Sequence, residues 1–275
     1  MEGWEIPNAP TSIPNLKSAC SAAASDLGLA QVESVNIVGY ETKALVAGKF
    51  NMLGGAFNSV GKAGYSLNRD FKGENLTAGA TSGAADTIAI HDAATGGYTT
   101  YYLYEGDGTY QAGWYNAGSD EWFDDDYPNG LPAGTPFWYL AKATTTGASG
   151  TFSGDVPMGG SYTKNLVRAK FNMVMNPYPV ALNLNDTTQV TLVGATAGAT
   201  SGVADTIAIH NAVTGGYTTY YLYEGDGTYQ AGWYNAGSDE LFETDYPDGL
   251  PAGTPFWYVA KAGTGDFSIT FLKNF

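Results

Sequence analysis

The chain has a single cysteine, Cys20, among 275 residues, so no disulfide can form within it. It carries two histidines, His91 and His210, which sit at equivalent places in two different parts of the chain. Neither has a second histidine at metal-ligand spacing, and that argues against zinc. Basic residues are scarce as well. Twelve Lys and Arg against 27 Asp and Glu leave a formal charge of −15, which excludes nucleic acid and anionic membrane as natural partners, since both need a cationic surface. No apolar run approaches the ~20 residues of a membrane-spanning helix, so no membrane insertion is expected. The opening MEGWEIPNAP is polar and has no apolar core of a signal peptide, so export implies a leader outside this chain.

What is abundant points to β structure. The 37 glycines, 20 tyrosines and many threonines describe a turn-rich chain with β-branched and aromatic strands. The segment from Gly79 to Tyr139 returns from Gly198 to Tyr258 with 54 of 61 positions identical. The differences are Ala84/Val203, Asp92/Asn211, Ala94/Val213, Trp122/Leu241, Asp124/Glu243, Asp125/Thr244 and Asn129/Asp248. A shared Lys-Phe-Asn-Met, at Lys49 to Met52 and Lys170 to Met173, extends the duplication upstream. Three parts follow: an N-terminal arm over 1–33, one β domain over 34–157 and its copy over 158–275. Within the arm, Ile13, Leu16, Cys20, Ala23 and Leu27 fall at helical spacing, which predicts a short amphipathic helix over 14–27.

Each copy reads as about seven antiparallel strands. Asp86 to Asp92, Tyr98 to Gly106 and Pro136 to Ala143 are the clearest in the first copy, and Gly106-Asp107-Gly108 signals a tight hairpin into Tyr110-QAGWYN. The expected fold is all-β, two tandem antiparallel β-sandwich or open-barrel domains behind a short helix-bearing arm. The final stretch, Asp266-FSITFLKNF, predicts a strand that either finishes its own sheet or adds to a neighbour's edge.

The series Gly39-Tyr40, Gly48-KFNMLG, Gly113-Trp-Tyr115, Leu131-Pro-Ala-Gly134 and Phe152-SGDV resembles the secreted β-modules of unassigned function in surface proteins of planctomycete, verrucomicrobial and lentisphaeral bacteria. The resemblance covers both copies but not the arm, and it is weakest over 158–167. It implies an exported, cell-surface bacterial location. It brings no active site.

Nothing in the chain assembles a nucleophile, a base and an orienting acid, so no enzyme is expected. At 92/211 the candidate orienting carboxylate beside each histidine becomes an amide in the second copy, and the simpler role for both histidines is a backbone hydrogen bond at a strand end. The acidic loops are candidate sites for Ca²⁺, a hard cation that takes several oxygens. Their ligands would be Asp120, Glu121, Asp124 and Asp126, and in the second copy Asp239, Glu240, Glu243 and Asp245. For a glycan the candidates are Trp114, Tyr115, Trp233 and Tyr234, since sugars stack on aromatic faces. Asn75-Leu76-Thr77 and Asn185-Asp186-Thr187 have the form of glycosylation sequons.

Two classes of function follow. The first is an extracellular structural protein that polymerises with itself into a surface layer or filament, through head-to-tail contacts of the duplicated domains. The second is a bivalent glycan-binding module. A third reading is a calcium-stabilised adhesin stalk.

Overall fold

A computed structural model describes residues 38–132, 134–142, 147–157 and 160–272. The arm over 1–33 and its expected helix lie outside the described residues. The first copy contains β1 (Val38–Ala44), β2 (Phe50–Leu53), β3 (Gly64–Tyr65), β4 (Phe71–Glu74), β5 (Thr87–Asp92), β6 (Gly97–Tyr104), β7 (Gly113–Asn116), the one-turn helix α1 (Phe123–Asp126), β8 (Leu131–Pro132), β9 (Phe137–Leu140) and β10 (Ser149–Asp155). The second contains β11 (Ser161–Asn165), β12 (Phe171–Met175), β13 (Val190–Val193), β14 (Thr206–Asn211), β15 (Gly216–Tyr223), β16 (Gly232–Asn235), the one-turn helix α2 (Phe242–Asp245), β17 (Pro255–Val259) and β18 (Ser268–Leu272).

Each copy builds one five-stranded and one three-stranded antiparallel sheet. The orders are β2-β9-β5-β6-β7 with β1-β10-β4, and β12-β17-β14-β15-β16 with β11-β18-β13. The fold is therefore all-β and sandwich-like, and no sheet closes into a barrel. β5 shows why the sequence folds this way: Ile88 and Ile90 point inward, while Ala89 and His91 take the other face. In the first core Phe71 and Phe152 of the small sheet pack against Trp114, Phe137 and Tyr139 of the large one. The second core repeats this with Phe271, Ile269, Trp233, Phe256 and Tyr258.

The conserved letters of Lys-Phe-Asn-Met acquire a reason here. Asn51 is buried, and its amide binds the turn before β2, accepting from the Val46 N–H at 2.8 Å and donating to the carbonyls of Val46 and Lys49. Asn172 does the same for Val167 and Lys170. Asp86 and Asp205 serve as buried struts. Asp86 accepts from the Tyr139 hydroxyl at 2.7 Å and from the N–H groups of Thr77 and Lys142 at 2.9 and 2.7 Å. Asp205 repeats the three bonds with Tyr258, Thr196 and Lys261.

The described residues form one compact unit, because the two copies share a third core. Met52 and Trp138 meet Met173 and Trp257 across it, flanked by Ala89 and Ala208. These side chains lie on the faces of the large sheets turned away from the small ones. The contacts are reciprocal: the His91 ring stands edge-on to Trp257 at 4.9 Å, and His210 stands edge-on to Trp138 at 4.8 Å. A contact in which each side supplies the same groups is two-fold in kind, and it closes. This contact lies within one chain and is distinct from the head-to-tail contacts between chains that a polymer would use.

One smaller expectation is corrected. The hairpin at Gly106-Asp107-Gly108 is not tight, because β6 ends at Tyr104 and β7 starts only at Gly113. Both glycines take positive φ, 82° and 89°, and the Asp107 side chain caps the loop between them. The last strand, β18, lies in the middle of its own sheet between β11 and β13, the first of the two roles expected for it.

Candidate functional site

The acidic loops do not converge on a cation. Asp126 accepts from the Tyr101 hydroxyl at 2.6 Å and the Asn116 amide at 2.8 Å. Asp124 turns to the Ser66 hydroxyl, the Asn68 amide and the Trp122 indole N–H. Glu121 takes the Ser119 hydroxyl, and Asp120 takes the Tyr102 hydroxyl. In the second copy Asp245 binds Tyr220 and Asn235, Glu243 binds Asn183 and Asn185, and Asp239 binds Tyr221. Glu240, exposed, contributes its backbone carbonyl to Asn235. Separate donors thus disperse the charge that proximity would otherwise concentrate. Among the described residues no three acidic, histidine or cysteine side chains are grouped to hold a metal.

The glycan candidates divide by strand alternation. Trp114 and Trp233, each 2% exposed, face the cores and have no free face for a sugar. That part of the assignment is corrected. Tyr115 and Tyr234 point the opposite way and line an open groove on the outer side of each large sheet.

In the first copy this groove measures about 500 Å³ and is walled by Tyr102, Tyr104, Tyr110 and Tyr115 with Asp107 and Asp120; in the second it measures about 680 Å³, with Tyr221, Tyr223, Tyr229, Tyr234, Asp226 and Asp239. Thr81 and Ser82, or Thr200 and Ser201, complete the floor. Every one of these residues is the same in the two copies. Comparison with protein-family models, curated proteins and solved structures finds no match. Function must therefore be argued from this geometry.

Local structure explains how the groove is held open. Tyr102 and Tyr104 alternate with the inward Tyr101 along β6, and their rings meet edge to face at 6.2 Å. Tyr104 meets Tyr115 in the same way at 5.5 Å. At the rim, Tyr110 and Tyr229 are 61% exposed, and each is positioned by an aspartate, since Asp107 and Asp226 accept the backbone N–H of Tyr110 and Tyr229 at 2.8 Å. Those backbone donors hold the Asp107 and Asp226 carboxyls below their ordinary range, so both remain anionic acceptors into mild acid. Burial, then Asp120, pushes the Tyr102 hydroxyl up, so it stays a neutral donor. Asp120 and Asp239 occupy left-handed backbone positions, φ 58° and 57°, which turn their carboxylates toward the tyrosines.

Reasoning from sequence alone had put Tyr115 and Asp120 into two different candidate sites, and the fold brings them into one. The aromatic run from Tyr98 to Tyr104 is a visible glycan signal, whereas Asp107 and Tyr110 carry none as site residues. The Asp-Gly turn signal was visible, but not that the loop would return its tyrosine over the sheet.

The histidines also differ from expectation. Their Nδ1 atoms are buried with no hydrogen-bond partner, and the rings pack against indoles rather than backbone. Burial lowers both imidazole pKa values. Of the two sequons, Asn185 is committed internally: its side chain accepts the Trp233 N–H at 2.6 Å and donates to Glu243.

Proposed function

We propose that the protein is an extracellular bivalent glycan-binding module of a bacterial surface, each copy holding a neutral sugar in its tyrosine–aspartate groove. A single observation carries this: the same tyrosine–aspartate groove occurs twice with identical functional side chains. Tyrosine rings offer flat apolar faces to the C–H side of a pyranose, while carboxylates and hydroxyls accept and donate to its hydroxyl groups. No lysine or arginine lines either groove, so acidic sugars are disfavoured. Two sites on one chain raise the apparent affinity for a repeating polymer well above that of one site.

A glycan array probed with the full chain, followed by calorimetry on a hit, tests this. The expected stoichiometry is two. Tyr110→Ala should remove one site and Tyr229→Ala the other, each by about tenfold or more in affinity, the scale lost when a well-packed aromatic anchor is truncated. A chain that binds no neutral glycan, or binds with unchanged stoichiometry in both variants, overturns the reading.

Self-assembly into a layer or filament is the competing proposal. Its strand-donation route loses its donor in β18, and its copy-to-copy surface is already occupied, so a polymer would need other faces. Polymers in negative-stain images of the purified protein at high concentration would favour it.

A further inference from the structure

We propose that the seam between the copies is a second binding site, for planar aromatic carboxylates. Where the large sheets meet, two grooves of about 510 and 580 Å³ open on either side of the shared core. Each is composite. One takes Lys170, Phe171 and Trp257 from the second copy and His91 from the first; the other takes Lys49, Phe50 and Trp138 from the first and His210 from the second. Tyr98, Trp138 and Tyr217 line both, so the two run together as one trough.

The walls are aromatic and still open to solvent. Phe50 is 54% exposed and Phe171 59%, high for phenylalanines, each on an edge strand of a large sheet. Phe50 meets Trp138 edge to face at 5.9 Å, and Phe171 meets Trp257 at 5.8 Å, which leaves flat ring surface available for a third ring.

Charge fixes the ligand class. In a chain of net charge −15, neither groove is lined by any carboxylate, and each carries one lysine at the same position of the repeated Lys-Phe-Asn-Met. A sugar would need several convergent polar groups, as in the tyrosine grooves. The seam offers ring faces and one ammonium, the complement of a flat aromatic body with a single anionic end.

The two grooves are unequal. Lys164 acts electrostatically on His91, and among the described residues it forms no ion pair, because Tyr162 stands where the first copy has Glu41. Its counterpart Lys43 is neutralised by Glu41 at 3.2 Å and donates to the Gly253 carbonyl at 2.8 Å. Neither Lys164 nor Lys43 lines a groove, but the uncompensated ammonium near His91 makes that groove the one expected to bind an anion more tightly.

Calorimetric titration of the full chain with 2-naphthoate, and in parallel with its methyl ester, tests the proposal. Two sites of different affinity are expected for the acid, with the ester weaker by about tenfold, as befits loss of a charge-assisted hydrogen bond. Lys170→Gln should abolish the tighter site and Lys49→Gln the weaker, with Phe171→Ala and Phe50→Ala weakening each in turn. All four side chains are at the surface, and an unchanged melting temperature would verify that the variants fold. Tyr110→Ala should leave naphthoate binding untouched, which separates this site from the glycan grooves. Absence of binding, equal affinity for acid and ester, or lysine variants that bind as the parent does would each overturn it.

Discussion

Lys164 shows how a single side chain can set a pH dependence. Burial pushes its ammonium down to about 8, far below a free lysine, with no carboxylate at position 162 to offset the cost. The unfolded chain therefore binds more protons than the folded one between roughly pH 8 and 10.5, and stability rises with pH across that window. Lys164→Met should raise stability at pH 7 by roughly 1–3 kcal/mol, an advantage that shrinks as pH climbs above about 8 and is largely gone by 10.5. Denaturant melts at pH 7 and pH 10.5 would reveal it, and an equal gain at both would refute the cause given. A second contrast lies in the turn before β2 and β12. Gly48 adopts φ 67° and Ala169 adopts φ 53°, a conformation that costs alanine about 1 kcal/mol. Ala169→Gly should accordingly stabilise by roughly 0.5–1 kcal/mol and Gly48→Ala destabilise by at least as much, readable from paired urea midpoints. Neither effect could be foreseen from the letters, because both depend on which neighbour faces the residue.

Among the elements, the strands were legible and their partners were not. The alternation of Thr87-Ile88-Ala89-Ile90 and the aromatic runs of β6 and β9 announce themselves. The short β3, β4 and β8 do not, having two to four residues each and little periodicity to read. The buried struts are harder still. Asp86 opens a strand and looks like a surface residue, yet it gathers donors from Thr77, Tyr139 and Lys142, the last 56 positions away. Asp86→Ala would remove the acceptor of one buried and two half-buried donors at once and should cost roughly 2–4 kcal/mol, with Asp86→Asn markedly milder. Chemical denaturation of the two variants side by side would measure the gap, and a cost below 1 kcal/mol for alanine would refute the strut. The groove residues fall between these cases: Tyr115 and Asp120 could be named from sequence, but only pairing of β6 with β7 places them together.

For the whole molecule, the decisive surface was hidden by its own symmetry. Met52 and Trp138 read as ordinary core, and they are core, but of an interface that exists only when both copies are present. Since each large sheet is covered on one face by its own small sheet and over part of the other by its twin, the copies should unfold together in one transition. Trp257→Ala, which empties the shared core while leaving both inner cores intact, should lower the melting temperature by several degrees and separate the copies into two transitions. Differential scanning calorimetry would decide it: a single unshifted peak would mean the seam carries little energy.

The reciprocal pairing of His91 with Trp257 and His210 with Trp138 has one more consequence. It is the arrangement of a homodimer whose two subunits have been joined end to end. Joining them replaces an association that dilution would reverse with an intramolecular one of fixed effective concentration. It also frees the halves to differ. Glu41 against Tyr162 is such a difference, a change that a true homodimer would have had to accept on both sides at once.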